Sequence, residues 1–168
     1  MAGNAGAGGH SIGDLLEEVT TVESGGDIRT WKRGEFTHSY RYFSLSSPDR
    51  FLVGCKALFR RASQAVIDEN LNAFRRMRTA QPHGARSAGC AFKNPPHDSA
   101  GRLLDASGCK GLCVGGATIS NVHANFVINT GRATGADVFG LMQSCRDIVF
   151  RKTGVCLEPE IKLLGFHA

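Results

Sequence analysis

The sequence predicts an α+β fold, in which strands and helices mix without the regular alternation that builds a parallel α/β sheet. Two β-prone runs, residues 15–24 and 27–31, flank a Gly-Gly pair, and this arrangement is typical of a β-hairpin. Apolar residues recur at helical spacing over Ser63–Thr79 and again after Thr134. With 168 residues, 42% of them apolar, the chain can form one domain or two small ones around a hydrophobic core.

The first half of the chain predicts a loop, the hairpin, a strand and a long helix. Residues 1–14 are glycine-rich and predict the loop. Residues 51–61 (FLVGCKALFRR) predict a strand with one common face, formed by Phe51, Val53, Cys55, Ala57 and Phe59. The helix over Ser63–Thr79 has an apolar stripe of Val66, Leu71, Phe74 and Met77. Residues 80–89, rich in Gly, Pro and Ala, predict a linker.

The second half predicts two helices and two strands. Ser99 is a good N-cap for a short helix over Ala100–Ala106, which ends at Gly108. Residues 123–130 contain ANFVIN and predict a strand. A longer helix begins at Thr134 and ends at Gly154, and its buried stripe contains Val138, Leu141, Met142, Cys145, Ile148 and Val149. Residues 156–165 (CLEPEIKLLG) predict a last strand.

The charge and the cysteines narrow the class of protein. Arginines account for much of the net charge of +5: Arg60, Arg61, Arg75, Arg76, Arg78 and Arg86. They favour a solvated helix face, then a small anionic ligand such as a diphosphate. Nucleic-acid binding is the weakest hypothesis, because aromatic residues do not alternate with these arginines. The only close cysteine pair, Cys109 and Cys113, lacks a second pair, so no metal site is predicted.

The same residues bear on localisation. The sequence shows no export signal and no membrane-length apolar run, so a cytoplasmic protein with free thiols and no membrane partner is expected. Cys145 and Cys156 stand at apolar positions and are expected to be buried.

The richest segment lies between Arg86 and Thr130. Cys90 precedes a Phe-Lys-Asn-Pro-Pro turn, in which each proline fixes its own φ and restricts the residue before it. The side chains of Cys90, Lys93 and Asn94 are therefore held in place, as an active site requires.

Long runs of the sequence resemble one enzyme family. Residues 87–129 and 154–165 resemble the substrate-binding domain of the UDP-N-acetylenolpyruvoylglucosamine reductases, also called UDP-N-acetylmuramate dehydrogenases. The upstream runs NAGAGG, DLLEEV and SYRY, with the Gly-Gly hairpin, resemble the second part of that family's flavin domain. The resemblance implies a partial FAD-binding domain of the PCMH type over residues 1–61. It implies a C-terminal substrate-binding domain over residues 62–168.

The resemblance also implies a reaction. The family uses FAD, with NADPH as reductant, to reduce UDP-N-acetylglucosamine enolpyruvate to UDP-N-acetylmuramate for peptidoglycan synthesis. Three catalytic positions match: Cys90 as proton donor, Arg41 as a cation near flavin and substrate, and Glu160 as a carboxylate that steadies the transition state. Lys93 and Asn94 match substrate contacts. The FAD turn matches Asn4, Ala5, Gly6 and Ala7, whose backbone N–H groups can approach the cofactor.

Each assignment has an alternative. The family usually has serine where Cys90 stands. A thiol with an ordinary pKa near 8.5 stays largely protonated at pH 7, so cysteine can still donate a proton at this position. Cys90 could instead be a small buried residue, and Arg41 could extend from a solvated sheet edge. Glu160 could be a surface residue, with Glu158 on the same strand face competing for its role. For His123, a satisfied structural histidine is the safer reading.

The family's flavin domain begins well before its NAGA turn. We therefore expect this chain to lack the first part of that domain. Either a separate N-terminal half supplies it, or the chain is a truncated, inactive UDP-sugar-binding module. Strands without their sheet partners expose unpaired edges, so residues 1–60 are expected to be less stable than residues 62–168.

Overall fold

The computed structural model describes residues 1–79, 81–82 and 84–165. It confirms the α+β class and divides the chain into two compact units, Met1–Phe74 and Arg75–Ala168. The division lies inside the first helix, after the predicted boundary at residues 61 and 62. The assignment of the two predicted domains stays a prediction.

The described elements of the first part of the chain are short strands followed by one helix. They are β1 Gly6–Ala7, β2 His10–Ser11, β3 Leu16–Glu23, β4 Ile28–Lys32, β5 His38–Ser39, β6 Tyr42–Phe43, β7 Arg50–Ala57 and α1 Gln64–Arg78. The second part alternates strands with two helices. These are β8 Ser87–Cys90, α2 Ala100–Ala106, β9 Cys113–Val114, β10 Ala117–Ile119, β11 Phe126–Asn129 and α3 Gly135–Thr153.

The first unit is built on an antiparallel sheet of order β4-β3-β7. The predicted Gly-Gly hairpin is confirmed, because β3 and β4 pair from Glu18 opposite Lys32 to Val22 opposite Ile28. The predicted N-terminal loop contains a further hairpin, in which Gly8 and Gly9 join β1 to β2 with positive φ. A small core lies beneath the sheet, formed by Leu16, Val19, Phe36, Phe43 and Leu45.

The common face predicted for residues 51–61 is wrong. Thr20 of β3 pairs with Gly54, whereas Thr21 pairs with Leu52, so Val53 is an extra residue in β7. This bulge breaks the alternation that the prediction assumed. Leu52 packs against the core, whereas Phe51 and Val53 are exposed.

Helix α1 confirms the predicted helix but leaves its apolar stripe in solvent. No residue of α1 is buried. Its large apolar side chains are all exposed: Val66, Ile67, Leu71, Phe74 and Met77. Stability from packing is therefore small here, since most helical stability in proteins comes from burying one face.

The second unit is a four-stranded antiparallel sheet of order β8-β11-β10-β9, packed with α2 and α3. Both predicted helices are confirmed. Thr134 caps α3 with a capping box to Asp137, and Gly154 ends it with φ 74°. The core is larger than that of the first unit and includes Phe92, Leu104, Ile119, Leu141 and Val149.

Three expectations for the second unit are wrong. Residues 87–89 of the predicted linker belong to β8, because this strand pairs with β11; residues 80 and 83 of the linker lie outside the described part. The last strand does not form, and Pro159 makes only an isolated bridge to Phe92. Cys145 is buried as expected, but Cys156 is exposed because it follows the end of α3. None of the described helices has the length and apolarity needed to cross a membrane.

The two cores predict unequal local stability. Backbone amides of α3 around Leu141 and Val149 should exchange with deuterium much more slowly than amides of β3 around Val19, since the second unit buries far more apolar surface. Residue-resolved hydrogen exchange measures both in one sample. Equal protection in the two units would contradict this prediction.

Candidate active site

Cys90 ends the edge strand β8, directly after a bulge. Cys90 pairs with Phe126 and Ser87 pairs with Ile128, so Ala88 and Gly89 together face Val127. Gly89 has φ 89°, a conformation that favours glycine. A bulge turns the side chain that follows it, and bulges are common beside active sites. Cys90 is left half-buried and not sealed in the core.

The three residues after Cys90 are held on both backbone edges. On one edge, Glu160 N–H donates to Ala91 O at 2.8 Å and Lys93 N–H donates to Glu158 O at 2.8 Å. Phe92 lies opposite Pro159 between these two bonds. Such a position needs no N–H from Pro159, because the peptide groups of a non-hydrogen-bonded pair point away from each other.

Asn125 holds the other edge. Its backbone O accepts from Ala91 N–H at 2.8 Å. Its side-chain Oδ1 accepts from Phe92 N–H at 2.9 Å, and Nδ2 donates to Phe92 O at 2.8 Å. The sequence prediction missed Asn125; the signal for it was a polar residue inside the apolar run ANFVIN.

The two carboxylates near Cys90 are distinguished by their surroundings. The Glu158 carboxylate is mostly exposed and pairs with the Lys93 ammonium. Glu160 is half-buried, and its Oε2 atom is inaccessible to solvent. No strand forms over residues 158–160, where Pro159 makes only an isolated bridge, and the expectation that Glu158 and Glu160 share one face stays a prediction.

Asn94 links this loop to helix α2. Its Oδ1 accepts from Ala100 N–H at 3.0 Å, which fixes the orientation of the amide. The turn that follows contains His97 with φ 64°, an unusual conformation for a residue other than glycine. Cys90, Lys93, Asn94, Glu158 and Glu160 therefore belong to one small region of the second unit.

His123 is a satisfied structural histidine. Its Nδ1 accepts from Asn125 N–H at 3.2 Å, and its ring packs edge-on against Phe126. A Cβ on Gly101 would lie 2.7 Å from the ring, so α2 needs glycine at this point. Burial lowers the pKa of His123 below its ordinary value.

An open cavity of about 390 Å³ lies beside the same segments. Ala88 and Val127 of the bulge line it, together with Ile161, which follows Glu160. Arg86 and Asn129 supply polar groups at its wall. Its size is within the range of small-molecule sites.

Arg41 lies in the first unit, at the tip of a tight hairpin. Tyr40 and Arg41 form the two-residue connection between β5 and β6. Arg41 has φ 55°, in the left-handed region, and its guanidinium lies 5.1 Å from the centre of the Tyr40 ring. Arg41 therefore lies in a turn.

The predicted cofactor turn also lies in the first unit. Asn4 is buried, and its side chain accepts from Gly13 N–H at 2.9 Å and donates to Ser39 O at 2.8 Å. Ala5, Gly6 and Ala7 are exposed. Gly6 is required by the hairpin, since a Cβ there would lie 2.6 Å from His10 O.

Comparison with known proteins gives one family. Residues 81–164 match the family model described as UDP-N-acetylenolpyruvoylglucosamine reductase, C-terminal domain. The reductase of Chlamydia felis is 37% identical over 98% of this chain and 55% of its own length. That of Rhodopseudomonas palustris is 40% identical over 96% of this chain and 52% of its own length.

A solved structure gives the same result. The crystal structure of the reductase from Thermus caldophilus (MurB) superposes with a TM-score of 0.85 at 34% identity, covering 95% of this chain and 57% of that one. The chain spans about half the length of the relatives it matches.

The lowered pKa of His123 predicts a pH dependence of stability. Below the ordinary histidine pKa near 6.5, the unfolded chain binds more protons than the folded one, so the second unit loses stability as the pH falls through this range. His123→Asn places a side-chain oxygen near the Nδ1 acceptor position without a titrating group. Urea unfolding at pH 5.0–7.5 should show a weaker dependence in this variant. Identical pH dependence in the two proteins would refute the assignment.

Proposed function

The chain belongs to the UDP-N-acetylenolpyruvoylglucosamine reductase (MurB) family, and from that premise we propose that it carries the substrate half of a reductase dependent on FAD and NADPH. The reaction is the reduction of UDP-N-acetylglucosamine enolpyruvate to UDP-N-acetylmuramate for peptidoglycan synthesis in the cytoplasm. One observation carries the proposal: segment 91–93, which directly follows Cys90, is hydrogen-bonded along its backbone to residues 158–160, so Cys90, Lys93 and Glu160 belong to one region of the second unit.

Lys93 and Asn94 bind the diphosphate and sugar of the substrate. The Lys93 ammonium already pairs with Glu158, which shows that it can reach a negative group at the surface. An exposed ion pair of this kind contributes little net stability, so a phosphate can replace Glu158 readily. The Asn94 amide, oriented by Ala100, then recognises a polar group of the substrate.

Cys90 donates the proton. The product requires a hydride on one carbon of the enolpyruvyl double bond and a proton on its neighbour. A thiol gives up its proton more easily than the serine hydroxyl that is usual in the family. Cys90 lies directly after a bulge at the end of β8 and is half-buried, so it is not sealed in the core.

Glu160 is the proposed carboxylate that steadies the transition state. The electrostatic effect of a carboxyl group on the reacting centre is stronger where water is excluded. Glu160 is half-buried with one buried oxygen, whereas Glu158 is exposed and engaged with Lys93. This difference favours Glu160 over Glu158.

Residues of the first unit are suited to form part of an FAD-binding site. When bound and reduced by NADPH, FAD would provide the hydride. Ala5, Gly6 and Ala7 leave an exposed backbone strip that a cofactor can approach, and Asn4 holds that strip from inside. Arg41 adopts a backbone conformation that costs about 1–2 kcal/mol for a residue with a Cβ. Such strain is typical of functional positions, which supports the proposed role of Arg41 as a cation near the flavin.

The rest of an FAD domain is the proposed partner of the first unit's sheet. In the described residues, β4 and β7 each pair on one side only, and Ile28, Phe51 and Val53 of these strands are exposed. Apolar faces and open strand edges of this kind mark interaction surfaces. The relatives contain nearly as much further sequence as this chain matches.

A second candidate function is a UDP-sugar-binding module without turnover. The features that support substrate binding all lie in the second unit, whereas only a short turn and Arg41 bear on the flavin. This favours a chain that binds the sugar nucleotide even where it holds no FAD.

Purified chain separates the two candidates. We expect it to bind UDP-N-acetylglucosamine enolpyruvate in calorimetry, and the reductase candidate also requires a flavin absorbance near 450 nm (roughly, as for flavoproteins) and NADPH-dependent turnover. A colourless protein that binds the UDP-sugar supports the binding module. Absence of UDP-sugar binding would contradict both candidates.

In a preparation that turns over, Cys90 is tested by a matched pair. Cys90→Ser should retain activity, because a hydroxyl can replace the thiol, whereas Cys90→Ala should lower kcat by about 10²–10⁴-fold. Calorimetric affinity for the substrate serves as the control and should change little in both variants. An active Cys90→Ala variant would remove Cys90 from the mechanism.

A further inference from the structure

We propose that Asn125 is a positioning residue for the active site, which acts through the backbone of Phe92 and does not touch the substrate. The inference rests on the proposed function, because it concerns how that site is held together. Asn125 directly precedes β11, and its side chain fixes Cys90 and Lys93 relative to Glu158 and Glu160.

The side chain of Asn125 takes the place of a missing β-strand. Asn125 is 2% exposed, and its amide makes two hydrogen bonds to the N–H and C=O of the same residue, Phe92. In a sheet, a neighbouring strand would satisfy these two groups. Here one side-chain amide satisfies both.

Phe92 needs this partner because Pro159 lies on its other edge. The bonds to residues 158 and 160 involve Ala91 and Lys93, so the peptide groups of Phe92 point the opposite way. Phe92 itself is fully buried, which keeps water from satisfying them. A buried peptide group left without a partner is strongly unfavourable.

Asparagine suits this task by its chemistry. Its amide carries one acceptor and two donor hydrogens on a short stem, so one group can both accept from N–H and donate to C=O. A carboxylate at this position would accept from Phe92 N–H but repel Phe92 O. An alanine would leave both groups unsatisfied.

Asn125 is itself held in place on both sides. Its N–H donates to His123 Nδ1 at 3.2 Å, and Phe126 next to it pairs with Cys90 across the sheet. Segment 91–93 is thus fixed relative to β11 on one edge and relative to residues 158–160 on the other. Loosening either edge should shift the proton donor relative to the carboxylate.

The test compares Asn125→Ala and Asn125→Asp with Val149→Ala, a variant that loosens the same core from α3 but removes no partner of the Phe92 peptide groups. Two measurements are made at a temperature where every protein is folded. The first is calorimetric affinity for UDP-N-acetylglucosamine enolpyruvate. The second is the rate at which iodoacetamide alkylates Cys90, followed by peptide mass spectrometry with the exposed Cys113 as internal reference.

If Asn125 positions the site, both Asn125 variants should bind UDP-N-acetylglucosamine enolpyruvate at least ten-fold more weakly. Their Cys90 alkylation rates should also change several-fold, while Val149→Ala should show neither effect. The Asn125→Asp variant carries a further signature. As the pH falls from 8 to 5, its protonated carboxyl regains one donor and one acceptor, so its affinity relative to wild type should rise. The same ratio for Asn125→Ala should stay flat. Using ratios cancels the other charged groups around the loop: Lys93, His123, Glu158 and Glu160.

Two results would overturn the assignment. One is a folded Asn125→Ala protein with wild-type affinity and wild-type Cys90 reactivity. The other is a Val149→Ala protein with the same losses, which would reduce the effect to general stability. If the wild type fails to bind the UDP-sugar, the proposed function fails, and Cys90 reactivity alone then decides the role of Asn125.

Discussion

Residues 91–93 are hydrogen-bonded along both backbone edges, and the arrangement of the candidate site depends on this. Asn125 satisfies one edge, and residues 158–160 satisfy the other. Each bond alone contributes only about 1 kcal/mol, but leaving the buried groups of Phe92 unpaired would cost about 1–3 kcal/mol apiece. The loop therefore has one favourable position. That position holds the segment after Cys90, which includes Lys93, against the backbone of Glu160, a residue distant from both in sequence.

The sequence predicts the parts of this structure that depend on local signals. Thr134 and Gly154 bound α3 because a capping side chain and a left-handed glycine act within one helical turn. The Gly-Gly hairpin follows from the same kind of local constraint. The prolines after Asn94 likewise indicate a rigid loop carrying Lys93, whereas the roles proposed for its residues come from the family resemblance alone.

The features that the sequence does not predict correctly depend on partners distant in sequence. Residues 156–165 have the composition of a strand, but Pro159 can pair only where its missing N–H is not needed, and that position is set by Phe92. The bulges at Val53 and at Ala88–Gly89 depend on the register of neighbouring strands. Asn125 reads as one polar residue in an apolar run until Phe92 is seen beside it. The apolar stripe of α1 was predicted correctly from its period, but periodicity alone does not state what covers it.

The most direct test of the account is an amide-resolved NMR titration of the chain with UDP-N-acetylglucosamine enolpyruvate. If the loop that is hydrogen-bonded on both edges forms the substrate site, the largest changes in amide chemical shift should fall on residues 90–94 and 158–160. Saturating ligand that leaves those amides unchanged, or that perturbs mainly the β4-β3-β7 sheet, would contradict the account.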